Sequence, residues 1–165
     1  MPRRYYPLLK TPIWVDIALS QVGITGKTAS SPVNPEVSRY IYGSVMTTHG
    51  IVTQTDGQAY CSWGTAWCLR QAGLRTPEAA WAYHYLHYGV SVTGFPFGGI
   101  VLDVGDGHVT GVGHVSFAWK KINNAVITIG FNQYNRTVGF LKIMERNVVD
   151  VRWPTERDVV DRGVT

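Results

Sequence analysis

The sequence predicts an α+β fold, with N-terminal helices packed on a C-terminal antiparallel sheet, and three observations carry that reading. Runs opened by proline and closed by glycine, with helical spacing of apolar residues, fill the first half of the chain. From Gly99 the apolar period changes to two, and short strand-like runs alternate with polar turns. Closely connected consecutive strands pair antiparallel, and helices segregated ahead of such a set define the α+β class. At 165 residues the chain suits one domain, residues 1–165 with a core over about 12–154, large enough to stand without disulfides. Hydrophobic residues at 45% against 16% charged place it among globular chains rather than disordered ones.

Taken in order, Met1-Pro2-Arg3-Arg4-Tyr5-Tyr6-Pro7 is a basic arm with no long apolar segment behind it. No Sec signal peptide is expected, so the chain would be made in a cytoplasm and need another route to act outside. No run approaches the roughly 18 apolar residues of a membrane helix, so no membrane insertion is expected. Thr11-Pro12 opens a helix running to Gly23, Asn34-Pro35-Glu36 one to Gly43, and Thr76-Pro77-Glu78 one to Gly89. Each has a polar N-cap, proline at the first helical position and glycine past the last turn. Strands come next at Gly99–Asp103, His114–Trp119, Ala125–Gly130, Val138–Met144 and Val148–Trp153, with a polar turn at Asn123-Asn124. The tail, Pro154 to Thr165, is charged and expected to fray or to pack on the surface.

The remaining helix, Cys61 to Gly73, differs in grammar. It begins directly at a cysteine after the loop Thr53–Ala59, with no capping side chain to seal its N–H groups. Gly64, Thr65, Cys68 and Ala72 share a face with Cys61, a small-residue stripe that lets the helix lie close to a sheet. A cysteine in the first turn feels the partial positive charge of those N–H groups, which favours thiolate. From this stretch alone a prepared nucleophile and a buried structural cysteine are both open. Cys61 and Cys68 would lie about 10 Å apart along one helix face, beyond disulfide reach, so free thiols are expected.

Strand alternation puts His114, Ser116 and Ala118 on one face and Val126, Thr128, Gly130 and, with the strand continued, Asn132 on one face of the next strand. Packing these small faces on the small stripe of the helix would bring Cys61 to His114 and set Asn132 beside the imidazole. A thiolate that attacks a carbonyl carbon, a histidine that shuttles the proton and an amide oxygen that orients the second ring nitrogen form a workable set.

Tyr60-Cys61-Ser62 through Trp67-Cys68-Leu69-Arg70-Gln71-Ala72-Gly73, then Gly113-His114-Val115-Ser116-Phe117, Gly130-Phe131-Asn132-Gln133 and Arg152-Trp153-Pro154 occur in an order that resembles the papain-like cell-wall hydrolases of the NlpC and CHAP group, in particular a phage and prophage subfamily. The resemblance extends upstream to Trp14-Val15-Asp16-Ile17-Ala18 and Asn34-Pro35. It implies a papain-like fold and a peptidoglycan hydrolase that cuts a muramoyl-L-alanine or stem-peptide amide, as a phage endolysin or virion-associated lysin; the expected lack of a signal peptide fits release by a holin or delivery by a virion or secretion apparatus. It also implies Cys61 as nucleophile, His114 as general base and then acid, Asn132 as orienting residue, and no cofactor. The Cys61 N–H is the expected oxyanion donor, with Gln58, Tyr60, Ser62, Trp63 and Gln133 as candidate oxyanion or substrate contacts. The chain departs from the pattern at Tyr60, where relatives often carry Asp or Trp, and at Phe131, where the subfamily often has glycine. Both departures bear on substrate fit more than on chemistry.

Other readings compete with this one. The net charge is +4, yet residues 40–119 hold only Arg70 and Arg75 against Asp56, Glu78, Asp103 and Asp106, which disfavours a nucleic-acid partner. A weakly basic surface suits an anionic polymer such as a cell wall, and the expected enzyme is a monomer. His84 and His87 have metal-like spacing but no third ligand nearby, and are expected at the surface. Trp81, Tyr83, Tyr85 and Tyr88 divide between the core and a groove for sugar rings. Asp103-Val104-Gly105-Asp106-Gly107 lacks the later glutamate of a calcium loop and reads as a turn, so no metal site is expected. His108 falls in this irregular loop, His49 is expected at the surface, and Cys68 is expected to pack beneath Cys61, inert. The rival functions are an injected antibacterial amidase toxin, a non-catalytic wall-binding or virion module, and a thioester acyltransferase.

Overall fold

The computed structural model describes residues 12–26, 36–37, 39–40, 60–77, 81–105, 111–133 and 136–160. These form a small helical part and one six-stranded antiparallel sheet, so the α+β class holds. The helices are α1 (Ile13–Leu19) and α2 (Cys61–Gln71), with a 3-10 helix at Ala82–His87. The strands are β1 (Val90–Ser91), β2 (Ile100–Asp103), β3 (His114–Ile122), β4 (Ala125–Gly130), β5 (Gly139–Met144) and β6 (Val148–Trp153), in the order β1-β6-β2-β3-β4-β5. Among the described residues no helix is long and apolar enough to cross a membrane.

α1 buries Trp14, Val15 and Ala18 on one stripe. The Trp14 indole donates to the Gly98 carbonyl at 2.8 Å and meets Trp153 edge-on at 5.6 Å, which fixes α1 to the sheet. Pro12 sits at the N-cap rather than at the first helical position. Residues 36, 37, 39 and 40 are helical, with Val37 and Tyr40 buried; the expected caps Thr11 and Asn34 lie outside the described residues. The third punctuated run is corrected. Thr76 and Pro77 are not helical, and the segment from Ala82 to His87 is a 3-10 helix, the tighter form used for short pieces.

The sheet is apolar on both faces. Ile100, Leu102, Val115, Phe117 and Ile129 pack with the helices, whereas Val101, Ala118, Val126 and Ile143 form a second cluster on the opposite face. This corrects the expected small-on-small packing: α2 lies on the bulky face of β3, and its small stripe receives large side chains. At Gly64 an added Cβ would overlap the Phe131 ring, so glycine there is what lets Phe131 reach 0% exposure. Phe131 is thus a core residue. The tail through residue 160 packs against the α2 end, with Arg75 N–H donating to the Asp158 carbonyl at 2.6 Å and Val160 N–H to the Gly73 carbonyl at 2.9 Å.

Candidate active site

Cys61 is the first residue of α2, and Tyr60 at the N-cap provides no side-chain cap. The sulfur therefore lies among backbone N–H groups with no partner inside the helix. The His114 ring and the N–H groups of Ser62 and Val115 act on the sulfur, each favouring its charged form. His114 opens β3 at 9% exposure, and Cys61 is 5% exposed. The β3–β4 ladder starts only at Phe117↔Ile129, so the first residues of β3 run past it and meet the N-terminus of α2 there.

The other side of the imidazole is held by Gln133 and not by Asn132. His114 Nε2 and Gln133 Oε1 are 2.7 Å apart. The Gln133 Nε2 group donates to the Gly139 carbonyl at 3.0 Å and to Thr128 Oγ1 at 3.3 Å, and Thr128 in turn donates to the Leu141 carbonyl at 3.3 Å. With both amide hydrogens committed, Oε1 is the acceptor, the proton sits on His114 Nε2, and Nδ1 is the nitrogen left for Cys61. β4 ends at Gly130, and Asn132 adopts a left-handed φ of +54°. That turn breaks the alternation that would have aimed Asn132 at the ring and delivers the next side chain instead. At Gly130 a Cβ would come within 2.7 Å of Ser116 Cβ, so glycine is what lets the end of β4 lie this close to β3 beside Gln133.

Cys61 and His114 perturb each other strongly. Burial acts to raise the thiol, but the hydrogen bond and charge of His114, with the two N–H donors, outweigh it and hold Cys61 below its ordinary range. Burial acts to lower the imidazole, yet the bond and charge of Cys61, the charge of Asp103 and the bond to Gln133 raise it to about 9. The pair is thereby suited to be thiolate and imidazolium at neutral pH, a nucleophile beside a proton donor.

The other candidates divide. Gln58 lies outside the described residues, as do His49, Asp106 and His108. Tyr60 is fully buried, its hydroxyl donates to the Arg136 carbonyl and its ring stacks on Tyr40, so its place is structural rather than at an oxyanion. Ser62 and Trp63 are buried. Cys68 is buried, and burial pushes its thiol well up, as expected of an inert cysteine; both cysteines are free. His84 stacks on Tyr83 and His87 is exposed. Among the described residues no group of three or more His, Cys, Asp or Glu could hold a metal. Trp81 and Tyr83 are exposed, whereas Tyr85 and Tyr88 are buried.

Two residues of the site escaped the sequence reading. Tyr85 donates to the Ser62 carbonyl at 3.2 Å and so steadies the first turn of α2; burial, first, keeps its phenol protonated. Asp103, read as part of a turn, stands opposite His114 in the β2–β3 ladder. No protein-family model matches the chain, and a search of curated proteins finds no significant match.

Proposed function

We propose that the chain is a papain-like cysteine amidase that hydrolyses an amide bond of peptidoglycan, acting as a phage endolysin or virion-associated lysin. The observation that carries this reading is the series Cys61–His114–Gln133 at the uncapped start of α2, in which the His114 ring acts on the Cys61 thiol and is hydrogen-bonded to Gln133. Its order of thiol, imidazole and amide suits acyl transfer. The resemblance of the surrounding motifs to cell-wall hydrolases supplies the substrate class.

Catalysis opens with the Cys61 thiolate adding to the amide carbonyl carbon, forming a C–S bond and an oxyanion. The backbone N–H of Cys61 stabilises this charge at the start of α2. Imidazolium His114 then gives its Nδ1 proton to the leaving nitrogen, the C–N bond breaks, and a thioester remains. Neutral His114 takes a proton from water as the hydroxyl adds to the thioester. Collapse of that second intermediate breaks the C–S bond, releases the carboxylic acid and restores the thiolate–imidazolium pair. Gln133 keeps Nδ1 facing the sulfur throughout.

The test is mass spectrometry of soluble fragments from purified peptidoglycan treated with parent and Cys61→Ala protein side by side. Stem peptides beginning at L-alanine, from the parent only, are expected of a muramoyl-alanine amidase. Cuts within the stem from the parent only identify an endopeptidase. Absence of fragments from either protein, with wall binding retained, overturns catalysis and leaves a binding module.

A further inference from the structure

We propose that Asp103 is a positioning residue of this site, whose carboxylate, carried on β2 directly across the ladder from His114, supplies the negative charge that keeps the ring in its imidazolium form. The assignment rests on the cysteine-amidase reading for its consequence in catalysis, but its geometry stands by itself. Asp103 and His114 are paired residues of adjacent antiparallel strands, so their side chains leave the same face of the sheet. Directly opposite pairs have Cβ atoms about 4.5–5.5 Å apart. Both are buried, at 5% and 9% exposure, where charges are weakly screened.

The carboxylate is held in place. Asp103 Oδ1 accepts from the Gly105 N–H at 2.7 Å, and the Asp103 carbonyl accepts from Gly113 N–H at 2.8 Å, one residue before His114. Among the described residues, the groups bearing on the imidazole are Cys61 from α2, Asp103 from β2 and Gln133 from the turn after β4. Of these, Gln133 is neutral: it orients the ring but brings no net charge. The thiolate brings one, and loses it each time Cys61 becomes acylated. Asp103 is then the remaining described anion beside the ring, in place during both the thioester stage and the return of the proton. Orientation and charge, which one aspartate provides in other triads, are thus divided here between two elements.

The structural alternative is that Asp103 only shapes the turn at Gly105. Asp103→Asn separates the two, since the amide keeps an oxygen for Gly105 N–H and removes the charge. The measurement is the NMR titration of the His114 ring in the full chain. Asp103→Asn is expected to move that titration down by about one pH unit, and the alkaline limb of peptidoglycan cleavage with it, while Asp103→Glu stays closer to the parent. An unmoved ring titration in a folded Asp103→Asn protein overturns the proposal. If that variant does not fold, the Asp103 carboxylate carbon of the parent decides: it is expected to show an inflection at the pH where His114 titrates, and its absence overturns the proposal equally. A ring titration that shifts in a protein releasing no wall fragments sinks the hydrolase reading and leaves the assignment of Asp103 intact.

Discussion

Cys61 and His114 are expected to titrate as a coupled pair, because at this depth each charge helps to stabilise the other. kcat/KM for wall cleavage is therefore expected to be bell-shaped. Its acid limb, where the thiolate takes up a proton, falls below the ordinary thiol range, since Cys61 is held down by His114. Its alkaline limb falls near 9, where His114 loses the proton owed to the leaving nitrogen. A rate that keeps climbing through the ordinary thiol range would mean that Cys61 works as a lone thiol. Cys61→Ala is expected to abolish fragment release with an unfolding midpoint close to the parent's, and Cys68→Ala to retain release; loss in a folded Cys68→Ala protein would mean that the wrong cysteine bears the chemistry. Gln133→Ala is expected to slow cleavage by about 10–100-fold, part of the roughly 10²–10⁴ that positioned acid–base groups contribute, and Asn132→Ala to change it little. The reverse ranking would restore Asn132 as the orienting residue. Cys61 and His114 are legible in the sequence because their types and local settings are distinctive. The side chain that meets the second ring nitrogen, Gln133, falls one position from the expected Asn132 because strand alternation does not continue past Gly130. The available signal is Asn132 itself, asparagine being a favoured non-glycine residue for the left-handed conformation that ends such a strand.

At the level of elements, the contact that sets α2 on the sheet is Gly64 against Phe131. At an open helical position glycine to alanine stabilises by about 1 kcal/mol. Here the new methyl would meet Phe131 atoms at 2.6 Å and closer. Gly64→Ala is accordingly expected to destabilise by about 1–3 kcal/mol, seen as a melting temperature lower by roughly 3–10 °C. In a Phe131→Ala background, itself destabilised, the same change is expected to be neutral or stabilising. A higher melting temperature for Gly64→Ala alone would show that the helix stands off the ring. Fragment release is expected to fall as well, because Gly64 lies three residues after Cys61 and Phe131 two before Gln133. The strands are the most legible elements: β4 and β6 match their expected ends, and Asn123 takes the positive φ expected of a tight turn. Which face of β3 receives α2 is not legible, since a small stripe packs as well into large side chains as against small ones. The run from Thr76 to Gly89 shows a second limit. Its caps are good, but its interior is rich in aromatic residues of modest helix propensity, and the structure there is a short 3-10 helix.

Across the whole molecule, one side chain adds to the ladders that tie the last strand to the middle of the chain. The Arg152 guanidinium donates to the Tyr88 carbonyl at 2.8 Å, to the Gly89 carbonyl at 3.2 Å and to Asp150 at 2.9 Å. It thereby fastens the end of the 3-10 helix to the β1–β6 edge, and the same helix supplies Tyr85 to the first turn of α2. At 13% side-chain exposure the arrangement is mostly shielded from water, so the carbonyls have few substitutes for the bonds they would lose. A lysine keeps the charge but presents a single point rather than a planar fork, and cannot reach all three acceptors in one geometry. Arg152→Lys is expected to cost about 1–3 kcal/mol, a melting temperature lower by roughly 3–10 °C. Both limbs of the cleavage profile are expected to stay in place, because neither Arg152 nor Asp150 is among the groups that act on His114. An unchanged melting temperature would show that the edge is held by the strand ladder alone. A displaced alkaline limb would instead show that the edge strand transmits its geometry, through the 3-10 helix and Tyr85, to the turn that carries Cys61.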